Sequence, residues 1–227
     1  MPTVSENIKT TLEKIRKAEK ESGRKPGSVK LVAVSKTKPV NMIAEAIAAG
    51  QLEFGENRVQ ELISKQEIFP QASWHLIGNL QRNKVKSVIP SVALLHSLDS
   101  SKLAREISRR AVEAGRVIHC LIQINISGEE QKHGMAESEA EVLLSQISKF
   151  PGLKILGLMG IPENTTDLDS LRVQFRRLRL AANEFRKFEN ENVKMDEISM
   201  GMSGDFEIAI AEGSTMVRIG SSIFGER

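Results

Sequence analysis

The sequence has no tyrosine, one tryptophan and one cysteine among its 227 residues, and aromatic residues make up only 4% of it. A single thiol, Cys120, excludes an internal disulfide and a cysteine-rich zinc site, and suits a reducing compartment. It lies within Val117-Ile118-His119-Cys120-Leu121-Ile122, where a small core residue is the expected role. No apolar run approaches the roughly 18 residues that a membrane span requires. The start, Met1-Pro2-Thr3-Val4-Ser5-Glu6, lacks the basic-then-apolar order of a secretory signal, so a cytoplasmic location is expected. The formal net charge of +3 provides no strong field for nucleic acid or an anionic membrane, and neither is expected as a partner. No glycine-rich dinucleotide fingerprint follows the first apolar segment, which argues against a Rossmann sheet.

What the chain does contain is alternation. A helix opens near Ser5, with Ile8, Leu12 and Ile15 at helical spacing. Short apolar or alternating segments follow at 30–35, 51–55, 73–77, 93–98, 117–126, 154–161, 196–201 and 215–220. Amphipathic segments separate them at 40–49, 57–69, 80–89, 100–114, 137–149, 167–189 and 204–212. Eight strands alternating with helices in 227 residues predict a single α/β domain over 1–227. The predicted fold is a (β/α)₈ TIM-type barrel with an extra N-terminal helix packed outside. On the longest helix, Leu171, Phe175, Leu178, Ala182 and Phe185 form one apolar stripe. Arg172, Arg176, Arg177 and Arg179 then fall on the solvated exterior, a more economical reading than an RNA-binding patch.

Barrels carry their chemistry where strands turn into loops at the carboxyl face. Lys36 closes the buried run Leu31-Val32-Ala33-Val34-Ser35. With its stem in a dry interior and its amine at the mouth, such a lysine is suited to form a Schiff base with a carbonyl ligand. Glycines at 201, 204 and 220, with Ser203 as the expected N-cap of a helix starting near Asp205, resemble a phosphate cradle in the loops after strands seven and eight. A lysine facing a phosphate cradle suggests pyridoxal 5′-phosphate. Arg218 shares strand parity with Met216 and Gly220 and so points inward. A buried guanidinium needs a partner: a pyridine nitrogen would serve, as would Glu56 or another strand-end carboxylate.

Several motifs carry a family resemblance from about residue 5 to residue 225. They are Val34-Ser35-Lys36-Thr37, Phe54-Gly55-Glu56-Asn57, Trp74-His75-Leu76-Ile77-Gly78, Met200-Gly201-Met202-Ser203 and Val217-Arg218-Ile219-Gly220. In this order they resemble the pyridoxal phosphate homeostasis proteins, single-domain relatives of the alanine racemase barrel. Leu76 departs from the phenylalanine often found in the third-strand motif, an apolar replacement. The resemblance implies pyridoxal phosphate joined to Lys36 as an internal aldimine, with Arg218 at the ring nitrogen. It implies Ser203, Gly220 and Ser221 at the phosphate, with Ser199 and Gly201 nearby, and a pocket lined by Asn57, His75 and Gly78. No catalytic residue and no metal is expected. The implied role is intracellular control of vitamin B6 supply and of amino- and keto-acid balance.

Two functional classes follow: a non-catalytic cofactor carrier, and an amino-acid racemase or other low-activity pyridoxal phosphate enzyme. A two-base racemase needs acid–base groups on both faces, and the racemase relatives supply a tyrosine from a second domain of the partner subunit. This chain has no tyrosine and stops at Phe224-Gly225-Glu226-Arg227, directly after strand eight. The carrier is therefore the expected class: a monomer that passes cofactor to pyridoxal phosphate-dependent apoenzymes. Arg218 only donates hydrogen bonds and cannot keep a proton on the ring, which weakens the cofactor as an electron sink. His75, Cys120 and His133 remain as possible bases, with His133 expected in an exposed loop at 130–134.

Overall fold

The computed structural model describes residues 2–129 and 133–226. Helix α1 (Val4–Glu21) begins at a reciprocal cap: the Thr3 hydroxyl accepts from the Glu6 amide while the Glu6 carboxylate accepts from the Thr3 amide. Strand and helix then alternate as β1 (Lys30–Val34), α2 (Val40–Ala48), β2 (Glu53–Glu56), α3 (Val59–Ile68), β3 (Ser73–Leu76) and α4 (Val85–Val88). They continue as β4 (Leu94–Leu98), α5 (Ser101–Glu113), β5 (Ile118–Ile124), α6 (Glu137–Ser145), β6 (Leu153–Gly160) and α7 (Leu168–Phe185). The last elements are β7 (Val193–Ser199), α8 (Phe206–Ala211), β8 (Met216–Ile219) and α9 (Ser221–Phe224). All eight strands are parallel and form a closed barrel in chain order. Closure comes from β8 pairing with β1, with Lys30 opposite Met216 and Val32 opposite Arg218.

Because side chains alternate along each strand, the barrel has two apolar regions. The large one lies between strands and helices and includes Ile43, Phe54, Leu62, Trp74, Phe175 and Phe185. A separate small cluster of Leu94, Leu121, Met159 and Met216 comes from β4, β5, β6 and β8 and forms the apolar part of the barrel interior. Helix α1 packs across α2, α8 and α9 on the outside.

The departures from expectation are local. The segment 80–89 is broken into a 3₁₀ turn at Arg82–Lys84 and the four-residue α4, because Pro90 stops the helix. Strand β7 starts at Val193 rather than 196, and the short helix α9 follows β8 directly. Ser203 is not a helix cap: α8 starts at Phe206 with Asp205 preceding it, and the Asp205 carboxylate accepts from the Met202 amide at 2.5 Å. The α7 arginines are engaged in ion pairs. Arg176 pairs with Glu212 at 3.0 Å and Arg177 with Glu137 at 2.7 Å, and both arginines remain about half exposed.

Candidate functional site

A cavity of about 570 Å³ opens at the carboxyl ends of the strands, a size suited to a small-molecule ligand. Its wall includes Lys36, Asn57 and Gly78 from the loops after β1, β2 and β3, and Ser203 from the loop after β7. Arg218 of β8, with Gly220 and Ser221 just beyond it, completes the set.

The strand end that carries Lys36 is braced from the helix side, by Glu56 at the end of β2 and Lys65 of α3. The Ser35 hydroxyl donates to Glu56 Oε1 at 2.7 Å, and Lys65 Nζ donates to the Ser35 carbonyl at 2.8 Å. Thr37 takes a left-handed backbone, φ 63°, which a β-branched residue adopts only under constraint. Its amide donates to Glu61 Oε2 at 2.8 Å, which supplies part of that constraint.

Gly78 has no room for a side chain. A Cβ there would sit 2.3 Å from the Asn57 carbonyl oxygen, so the loops after β2 and β3 touch backbone to backbone. The loop after β7 is tied to β8 and the loop beyond it by hydrogen bonds. Ser203 Oγ accepts from the Gly220 amide at 3.4 Å, and the Gly201 carbonyl accepts from the Arg218 amide at 2.9 Å. Gly201 itself has φ +93° and lies against Ala209 and Phe206, so its role is to turn the loop rather than to face the cavity.

Arg218 is buried, with its guanidinium donating to Ser199 Oγ at 2.7 Å and to the Gly160 carbonyl at 3.0 Å. Burial lowers its pKa to about 10, partly offset by the Asp205 charge, so it stays a cation at neutral pH. Among the described residues no carboxylate comes within ion-pairing distance of it, and Glu56 is instead taken by Lys65 at 2.7 Å. A buried cation held only by neutral acceptors, at the wall of a cavity, is a ready donor to a ligand acceptor.

Besides Gly201, two residues expected at the pocket are elsewhere. His75 and Ser199 do not line the cavity: both are buried in the barrel interior, His75 one layer below the cavity residue Ile77 of the same parity. His133 has the opposite fate. It is exposed, as expected, yet it reaches the cavity rim, where Asn79 Nδ2 lies 3.2 Å from its Nδ1. Residues 130–132 of that expected loop lie outside the described residues. The rim position was available from topology alone, because the loop after β5 belongs to the carboxyl face. Cys120 is enclosed in the outer core, where burial pushes its thiol pKa up and makes it inert.

The donor set fits a phosphorylated aldehyde: a primary amine, two backbone-rich loops and a buried cation facing one volume. The model of the alanine racemase N-terminal domain matches residues 7–227. Over 233 aligned residues the chain is 42% identical to the pyridoxal phosphate homeostasis protein of Vibrio alginolyticus, spanning 100% of this chain and 99% of that one. The chain belongs to the pyridoxal phosphate homeostasis protein family. The family member from Aquifex aeolicus is likewise 42% identical, across 98% of this chain and 97% of its own length. Among solved structures, PipY of Synechococcus elongatus with PLP bound superposes with a TM-score of 0.85 at 34% identity, covering 98% of this chain and 100% of that one.

Proposed function

We propose that the chain binds pyridoxal 5′-phosphate, attaches it covalently through Lys36, and acts as a monomeric cofactor holder in intracellular vitamin B6 and amino/keto-acid balance. The observation that carries this reading is the convergence of Lys36, Arg218 and the joined Ser203–Gly220 loops on one cavity. The PLP-bound PipY structure supports the same ligand. Lys36 supplies the amine that condenses with an aldehyde, releasing water. Ser203, Gly220 and Ser221 hold the phosphate through backbone and hydroxyl donors. Asn57 and Gly78 shape the wall, and Arg218 donates to the ring nitrogen. When bound, the cofactor supplies an electron sink, and a donor-only arginine leaves that sink weak.

The second reading, a racemase or other slow enzyme of the same cofactor, rests on His133 at the cavity rim. His75 is committed to Glu53 and His96, and Cys120 is walled off. His133 is thus the histidine best placed to carry a proton, and its exposure to water makes it a poor one.

The test is borohydride reduction of cofactor-loaded protein followed by peptide mass mapping. The pyridoxyl group is expected on Lys36; a label elsewhere, or none, removes the reading. Incubation with a panel of L-amino acids should give little or no conversion. Turnover near 1 s⁻¹, within the ordinary enzyme range, abolished by Lys36→Ala and by His133→Ala, would establish the enzyme instead.

A further inference from the structure

The barrel interior holds a continuous file of polar side chains below the cavity. Glu53 Oε2 lies 2.7 Å from His75 Nε2, and His75 Nδ1 lies 2.9 Å from His96 Nε2. His96 Nδ1 lies 3.0 Å from Ser199 Oγ, which takes the Arg218 hydrogen bond at 2.7 Å. The file crosses from the amino end of β2 through β3, β4 and β7 to β8. Its members are buried except Glu53, whose side chain is 39% exposed at the barrel floor.

With neutral imidazoles, the two ends fix the direction of every bond between them. Arg218 can only donate and an ionised Glu53 can only accept. Arg218 therefore donates to Ser199 Oγ, and the Ser199 proton goes to His96 Nδ1. His96 then carries its proton on Nε2 and gives it to His75 Nδ1, and His75 Nε2–H points to Glu53. Both imidazoles are neutral in this arrangement. Burial, with the neighbouring Arg218 charge, depresses the His96 pKa well below the usual range, and the hydrogen bond from His75 lowers that of Glu53. Other charged groups at the file are Lys30 beside Glu53, itself paired with Glu197 at 2.5 Å, and Asp205 beside Arg218. Protonating His75 would turn His96 round, so that its Nδ1–H adds a second donor to Ser199 Oγ and leaves the Ser199 proton without its place in the file. With both imidazoles neutral, one polarity satisfies all members.

We infer that Glu53, His75, His96 and Ser199 form a one-way hydrogen-bonded chain through the barrel that positions Arg218 for its ligand, with His96 and Ser199 as positioning residues. The ligand end of this inference rests on the pyridoxal phosphate reading above. The chain gives the buried guanidinium one preferred orientation and connects it to a carboxylate that solvent and solutes at the opposite face can reach. A change at the floor is thereby felt at the cofactor ring, without any contact between Glu53 and the cavity.

Two measurements test it. In the free protein with ¹⁵N-labelled histidine, NMR should find His75 and His96 as neutral Nε2–H tautomers at neutral pH. An imidazolium or an Nδ1–H tautomer at either site overturns the chain, whatever the cofactor does. In the second, pyridoxal phosphate is titrated into Ser199→Ala and Glu53→Gln proteins whose fold is verified by circular dichroism and thermal melting. Loss of a hydrogen bond to a charged group predicts roughly tenfold weaker binding for Ser199→Ala. Coupling through the network predicts about threefold weaker binding for Glu53→Gln, and both should change the absorption spectrum of the bound cofactor. Native affinity and spectrum in either folded variant overturn the inference. Failure of the unmodified protein to bind pyridoxal phosphate removes the cofactor reading and leaves the NMR result to judge the chain.

Discussion

Lys65 Nζ lies 2.7 Å from Glu56 Oε1 inside the protein, and the same ammonium donates to the carbonyl of Ser35, the residue before Lys36. Both side chains are buried, and Glu56 Oε2 has no hydrogen-bond partner among the described residues. Burial pushes the Glu56 carboxyl above its usual range, although Lys65 and Ser35 act to lower it. The pair is thus held under desolvation, and its geometric effect is to fix the strand end that presents Lys36 to the cavity.

Removing Lys65 should be severe. Lys65→Met leaves Glu56 without a cation, and breaking a buried pair from one side typically costs about 3–5 kcal/mol. Urea denaturation should register this loss, and borohydride trapping on Lys36 should be slower in whatever folds. The double variant Lys65→Met/Glu56→Gln should recover part of the stability, because no buried charge is left unpaired. An unchanged midpoint for Lys65→Met would remove the brace.

The loops after β7 and β8 should discriminate on the phosphate. Ser203→Ala should weaken pyridoxal 5′-phosphate binding about tenfold, the effect of losing one hydrogen bond to a charged group. Binding of unphosphorylated pyridoxal should change little. Equilibrium dialysis with both ligands decides, since equal losses mean that Ser203 does not read the phosphate.

Glu19 sets an acid limit. It is fully buried, yet it accepts from the Gly27 amide at 2.9 Å and the Val29 amide at 2.7 Å, and it pairs with Arg16 at 2.9 Å. Burial acts to raise its pKa, but these bonds together bring it below the usual 4.5. A depressed carboxylate contributes stability that is present above its unfolded pKa and is lost as pH falls through the folded one. Glu19→Gln should therefore narrow the stability gap between pH 7 and pH 3, as measured by thermal melts across that range. A gap identical to that of the unmodified protein would show that Glu19 is not the linked group.

Cys120 should be silent until the barrel opens. Its thiol is fully buried and its pKa is raised by desolvation. An aromatic disulfide reagent should give no reaction with native protein and one equivalent in denaturant. Prompt native labelling would place Cys120 outside the core.

The fold was readable because helical and alternating apolar periods are local properties of the chain, and each of eight strands lies within about three residues of its expected bounds. Lys36, Asn57, Gly78, Ser203, Arg218, Gly220 and Ser221 were legible as candidates because each follows or closes an apolar strand, and all seven meet at the cavity. Their role toward a cofactor rests on chemistry, and the experiments above decide it.

Depth and partnership were not readable in this way. Strand parity says that His75 and Ser199 face inward, but which layer each occupies depends on the stagger between strands, which exists only once β8 has closed on β1. His133 reaches the rim, and Lys65 finds Glu56, through contacts across loops and neighbouring elements that no local period encodes. Periodicity and the residues at strand ends thus define the barrel and the mouth it presents. Barrel closure, by bringing Glu53, His75, His96, Ser199 and Arg218 within hydrogen-bonding reach, sets which polar groups meet inside it.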